Sequence, residues 1–184
     1  MKTILAGATA CMLLAACNQT APESPATTMT AADSPEAAAT GFYAVAMALP
    51  IGGVPDAAGQ AALEPLVTPE LAASLAAARA AEDAHTAATN NEEPPMIQGD
   101  IYGSLFEGRT AFVVGDCVVS DAEARCEVLQ SYSDASGNSE WTDTAVLVRD
   151  GDGWRVDDVI YGGDWDFATT GRLSEMLAAV TAGE

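Results

Sequence analysis

Residues 110–132 read TAFVVGDCVVSDAEARCEVLQSY, two runs in which apolar residues alternate with polar ones, parted by Asp121-Ala122. A period of two puts successive side chains on opposite faces of an extended chain, so each run is expected to be a half-buried strand. A turn centred on Asp121-Ala122 pairs positions whose numbers sum to 243, and Cys117 then faces Cys126 across the hairpin. Working outward, the period predicts strands near Met96 to Ile101, Thr110 to Val119, Ala124 to Tyr132, Trp141 to Arg149 and Trp154 to Tyr161. Consecutive strands with short connections should pair antiparallel. In Arg149-Asp150-Gly151-Asp152-Gly153-Trp154 a two-residue Gly-Asp loop makes a tight turn, setting Arg149 opposite Trp154 where a cation can lie over the indole. Asp150 and Asp152 also begin like a calcium loop, but the later acidic ligand is missing at the required spacing.

Before Pro94-Pro95 the period is helical. Ser34-Pro35-Glu36 supplies a capping hydroxyl, a proline at the first helical position and an acid in the first turn. Phe42, Val45, Ala46 and Leu49 follow at helical spacing until Pro50-Ile51-Gly52-Gly53 breaks the pattern. A short helix is expected from Asp56 to about Leu63. Thr68-Pro69-Glu70 repeats the start signal for a third, alanine-rich helix from Leu71 to about Ala88, with Leu71, Leu75 and Ala78 as its buried stripe. A closing helix is expected from about Arg172 to Val180. The fold class is therefore α+β, with N-terminal helices packed on a curved antiparallel sheet and a short C-terminal helix.

The leader decides the compartment. Thr3 to Ala16 is apolar but shorter than the roughly 20 residues a membrane-spanning helix needs, and Lys2 followed by an apolar core and small residues is the layout of an export signal. Leu14-Ala15-Ala16-Cys17 resembles the bacterial lipobox, in which the cysteine sulfur is acylated before cleavage and becomes the first residue. The alternative is a plain signal peptide beside a bystander cysteine. Two or more acyl chains on Cys17 would anchor the protein stably. Asn18 follows, where an aspartate is the usual inner-membrane retention signal in such lipoproteins, so the resemblance implies an outer-membrane address facing the periplasm. Residues 18–35 hold Pro22, Pro25 and Pro35 among Thr, Ser and Ala without apolar periodicity, and read as a disordered linker spanning roughly 20 to 25 Å. The expected organisation is a signal peptide over 1–16, a lipidated cysteine and linker over 17–35, and one domain over 36–184.

The formal charge is −20, and loss of the leader removes Lys2, the only lysine. Six arginines against 27 carboxylates argue against a nucleic acid or an anionic membrane surface as partner. A basic envelope protein is compatible, and solubility alone would also account for the charge. In an exported protein the facing pair Cys117 and Cys126 reads as a disulfide, worth roughly 2.5 kcal/mol in the chain-entropy model. Metal ligation or free thiols are the alternatives, and no CxxC or neighbouring histidine supports a metal.

Three stretches carry a family resemblance. Pro94-Pro95-Met96-Ile97-Gln98-Gly99-Asp100-Ile101-Tyr102, Gly153-Trp154-Arg155-Val156-Asp157-Asp158-Val159-Ile160-Tyr161 and Leu173-Ser174-Glu175-Met176-Leu177 together resemble bacterial envelope proteins grouped as domain of unknown function 3828. That family is similar to the nuclear-transport-factor-2-like superfamily, which implies a curved sheet wrapped around helices as a cone. The resemblance brings no settled activity and no catalytic residue. The alanine-rich third helix departs from it.

Chemistry has to come from the residues themselves. His85, the only histidine, lies late in the third helix beside Glu82 and Asp83, where a solvated helix end is the plain reading. Asp100, Tyr102, Trp141 and Tyr161 could face the cone as a candidate pocket, with Asp100 abstracting a proton and Tyr102 stabilising an enolate. The alternative for Asp100, after Gly99, is a polar contact that fixes a bend. No serine sits in a nucleophile elbow, and no pattern calls for a cofactor or metal. Two function classes follow: a non-catalytic binding or accessory module of the envelope, or a small-molecule pocket of isomerase or hydrolase type. A filled interior beside an exposed apolar patch would favour the first, a deep apolar cavity the second.

Overall fold

The computed structural model describes residues 32–135 and 137–183. The expected signal peptide, Cys17 and the linker up to residue 31 lie outside them. Three helices come first, α1 (Pro35–Ala48), α2 (Ala57–Leu63) and α3 (Pro69–Ala88), with a short 3-10 turn at Glu64–Leu66. Four strands follow, β1 (Ala111–Ser120), β2 (Glu123–Asp134), β3 (Gly137–Asp150) and β4 (Gly153–Ile160), then α4 (Leu173–Ala182). The strands form one antiparallel sheet in the order β1-β2-β3-β4, an open meander with β1 and β4 at its edges. The molecule is thus α+β. Among the described residues no helix is long and apolar enough to cross a membrane.

The helix-start signals act as side-chain caps. Ser34 Oγ accepts from Ala37 N at 3.2 Å, Asp56 from Gly59 N at 2.9 Å, and Thr68 Oγ1 from Leu71 N at 3.1 Å. For α4 the preceding Arg172 offers no side-chain cap. Asp158 of β4 replaces it, accepting from Ser174 N at 3.0 Å and Ser174 Oγ at 2.6 Å, so the sheet itself starts the last helix.

The buried face of α1 is Ala38, Ala39, Phe42, Tyr43 and Ala46, rotated from the expected stripe so that Tyr43 points inward while Val45 and Leu49 are half-buried. This helix touches all four strands. On α3 the expected Leu71, Leu75 and Ala78 are buried, and the stripe runs one turn further to Glu82.

Cys117 pairs with Cys126 in the predicted register, and a disulfide joins them. Nearer the start of β1 the register shifts by one, because Gly115 and Asp116 together face Glu127 in a β-bulge. At the last hairpin Arg149 faces Trp154 as expected, with the guanidinium carbon 4.6 Å from the ring centroid.

One expected strand is absent. Met96 to Ile101 is irregular backbone, although Ile97, Gly99 and Ile101 are buried in alternation as a strand would bury them. Its backbone donors go elsewhere. The buried Glu82 carboxylate accepts from Met96 N at 3.1 Å and Ile97 N at 2.7 Å, and Asp100 N donates to Phe106 O at 2.9 Å. Gly99, at φ 79°, turns the chain where a strand would continue.

Candidate functional site

Asp143 sits on the inward phase of β3, two residues from Trp141 and from Ala145, and is fully buried. A buried carboxylate must be matched by donors, and here five converge on it. Oδ2 accepts from Ser104 N at 3.0 Å, Gln130 Nε2 at 2.5 Å and Trp141 Nε1 at 2.9 Å. Oδ1 accepts from Ser104 Oγ and from Gly162 N at 2.8 Å. Ser104 Oγ in turn accepts from Gly162 N and Gly163 N at 3.1 and 3.0 Å. The loop before β1 and the loop after β4 are thereby fastened to the middle of the sheet.

Gln130 extends the network. Its Oε1 accepts from Arg109 Nε, and Arg109 Nη2 pairs with Asp100 Oδ2. The side chains of this ion pair are 1% and 8% exposed. The Arg109 guanidinium also lies 5.2 Å from the Tyr43 ring centroid. Asp100 Oδ1 accepts from Tyr102 N at 2.8 Å, an Asx-type contact that holds the bend after Gly99. Burial pushes the Asp100 carboxyl above its ordinary range, opposed by Arg109 and by the Tyr102 N–H.

The four candidate pocket residues therefore fall in one buried region. Tyr102 is packed edge-on against Phe42 at 5.5 Å, and its phenol, like that of Tyr43, has no hydrogen-bond partner among the described residues. Tyr161 donates its hydroxyl to Ile101 O at 2.7 Å. Burial raises the pKa of all three phenols well above the ordinary tyrosine value. Trp141 is held by Asp143 and meets Trp165 edge-on at 5.9 Å. His85 stands apart on α3, its Nε2 3.1 Å from Pro94 O.

Little space adjoins these groups. The cleft between the end of α1, the 49–55 loop and Asp100 encloses about 20 Å³, room for about one water molecule. Ligand pockets generally need about 300 Å³ or more. Shallow grooves of about 320 and 370 Å³ flank α3, but alanine is their commonest lining residue and they bring together no pair of titratable groups. Among the described residues no cluster of three or more His, Cys, Asp or Glu is placed to hold a metal ion.

The sequence reading missed Tyr43, Ser104, Arg109, Gln130 and Asp143. A signal existed for two of them. Gln130 continues the inward phase of Ala124, Cys126 and Val128 on β2, and Asp143 interrupts the apolar inward phase of β3. A polar residue at such a position needs a buried partner. Compared with known proteins, the chain matches no family model, no curated protein and no solved structure.

Proposed function

We propose that this chain is a non-catalytic binding or accessory module of the bacterial cell envelope, tethered through acylated Cys17 to the outer membrane and facing the periplasm. In this reading α1 and the sheet form the cone implied by the resemblance to domain of unknown function 3828, with its interior filled.

The observation that carries the non-catalytic part is the commitment of Asp100. Its carboxylate is engaged by Arg109 and by the Tyr102 N–H, and the adjoining cleft of about 20 Å³ admits no substrate. General base catalysis needs a carboxylate within reach of a substrate proton. The lipobox-like Leu14-Ala15-Ala16-Cys17 motivates the tether.

Single changes Asp100→Asn, Tyr102→Phe and His85→Ala are expected to leave the envelope phenotype intact wherever the protein still folds. Cys17→Ser is expected to abolish incorporation of labelled palmitate and to weaken that phenotype. Loss of function in a folded, anchored side-chain variant would overturn the non-catalytic reading, and normal labelling of Cys17→Ser would overturn the anchor.

A further inference from the structure

Most large apolar side chains of the described residues are buried, but Met47, Ile51 and Phe106 are 43%, 57% and 53% exposed. They come from three separate segments: the end of α1, the loop after it and the loop before β1. Glycine brings them together. A Cβ on Gly99 would lie 2.6 Å from the Phe106 ring, and one on Gly108 would lie 2.7 Å from Ile51 Cδ1, so both side chains fold down over glycines that flank Asp100. Both glycines have positive φ, 79° and 82°. Met47 and Ile51 line the small cleft beside Gly99 and Asp100. The result is an apolar rim on a backbone fixed from below by the Asp100–Arg109 pair and the Ser104–Asp143 contacts.

Elsewhere Val113, Val118 and Leu129 are exposed on the outer sheet face, Val119 on the other face beside the β1–β2 turn, and Phe167 singly on the loop after β4. Val113, Val118 and Leu129 lie among Asp116, Arg125 and Glu127 on bulged strand β1 and its neighbour β2, as isolated apolar side chains on a solvated, charged sheet face. The rim differs in bringing a methionine at the end of α1 together with an aromatic on a braced loop, side chains enriched in protein interfaces. Glu107, exposed and next to Phe106, carries a charge at its border.

We propose that this rim is the docking surface of the module, and that its partner is a protein segment presenting an apolar side chain beside basic residues. The inference rests on the binding-module reading above. Charge identifies the occupant. A chain of net charge −20 repels a second copy of itself and an anionic membrane, and attracts a basic segment over the distance of a Debye length. The apolar rim supplies the short-range contact, and Glu107 orients the basic flank.

The test is photocrosslinking of the full-length, membrane-anchored protein carrying benzoylphenylalanine at position 51, 106 or, as control, 118. Adducts at 51 and 106 but not at 118, mapping to a Lys/Arg-rich apolar segment of another protein, are expected. With that protein purified, Phe106→Ser or Ile51→Ser should raise Kd at least tenfold. Glu107→Gln should raise it several-fold and flatten its salt dependence, while Val118→Ser should leave it unchanged. These neutral exchanges at exposed positions spare the core. Adducts to a second copy, to lipid or to an acidic segment, no adduct at 51 and 106, or a Kd indifferent to Phe106→Ser would overturn the proposal. A specific protein adduct at 118 alone would overturn this surface while leaving the module reading intact. Substrate turnover without any partner would end both.

Discussion

Asp143→Asn is nearly isosteric but changes what the five donors meet. The carboxylate offers two acceptor oxygens, Oδ2 to Ser104 N, Gln130 Nε2 and Trp141 Nε1, and Oδ1 to Ser104 Oγ and Gly162 N. Asparagine keeps one oxygen and puts an NH2 in place of the other. Whichever way the amide turns, at least two donors then face another donor. Ser104 Oγ can rotate its hydrogen away, and Gln130 can flip only by giving up its bond from Arg109. A buried donor left unmatched costs about 1–3 kcal/mol, and hydrogen bonds to a charged group are worth about 1.5–3 kcal/mol each. With the NH2 turned toward the Oδ1 position, Ser104 Oγ rotates and Gly162 N keeps its bond to Ser104 Oγ, so the cost is one lost bond to a charged group and the weakening of the others, about 2–3 kcal/mol. For a domain of this size that lowers Tm by roughly 5–10 °C. Urea unfolding followed by tryptophan fluorescence would measure it directly, since Trp141 donates to the altered group. A loss below about 1 kcal/mol with an unchanged m-value would refute the claim that Asp143 organises the interior.

Two further outcomes follow from buried polar groups. Tyr43, Tyr102 and Tyr161 keep their protons in the folded state far above the ordinary phenol pKa of about 10. Above that pH the unfolded chain binds fewer protons than the folded one, so stability falls as pH rises, by about 1.4 kcal/mol per pH unit for each phenol and about 4 kcal/mol per unit for the three. Phenolate absorbance should show one early reversible titration, from Tyr132, and three tyrosines ionising together with unfolding; four independent titrations would refute the burial. Glu82→Ala removes the acceptor for Met96 N and Ile97 N, and amide exchange at those two positions should accelerate at least tenfold while the α3 interior is unaffected.

The hairpin was legible because its information is local. Alternation and a two-residue turn fix the register near Cys117 and Cys126, and the capping residues of α1, α2 and α3 are equally local. The bulge at Gly115-Asp116 was not legible, since one extra residue on an edge strand leaves the alternation readable on both sides. Met96 to Ile101 misled for a related reason. Alternating burial is necessary for a half-buried strand but says nothing about hydrogen-bond partners, and Glu82, fourteen and fifteen residues earlier, takes the two amides a neighbouring strand would have taken. Asp100, Tyr102, Trp141 and Tyr161 could be grouped from one chain. Their partners could not, because Arg109, Gln130 and Asp143 come from a loop and two strands, and periodicity reports inside or outside without reporting which inside residues meet.

The network raises a question of cost. A buried ion pair such as Asp100–Arg109 is seldom more stable than a well-packed apolar replacement, because desolvation offsets much of the attraction. Stability alone therefore does not account for it. Position does. Residues 96–109 and 161–171 have almost no sheet ladder to hold them, and their backbone contacts are few: Gly53 N to Gly99 O, Asp100 N to Phe106 O, Gly108 N to Leu105 O, Ala168 N to Trp165 O, Thr169 N to Ser104 O and Tyr161 N to Gly171 O. Side chains supply the rest. Ser104 and Arg109 bracket Phe106 and are pinned to Asp143 and Gln130 on the central strands, so the exposed ring is carried by a loop fixed at both ends. Directional bonds fix a loop in one place where apolar packing would tolerate several. On this reading the interior polar groups serve the surface. Replacing Asp100 and Arg109 together by apolar residues of similar volume should then preserve much of the stability while loosening the loop that carries Phe106. Two quantities that fall together in Asp143→Asn, stability and loop order, would separate in that double variant. Amide exchange at 105–108 read beside urea unfolding distinguishes them, and a double variant that loses stability without loosening the loop would show the network to be a matter of stability after all.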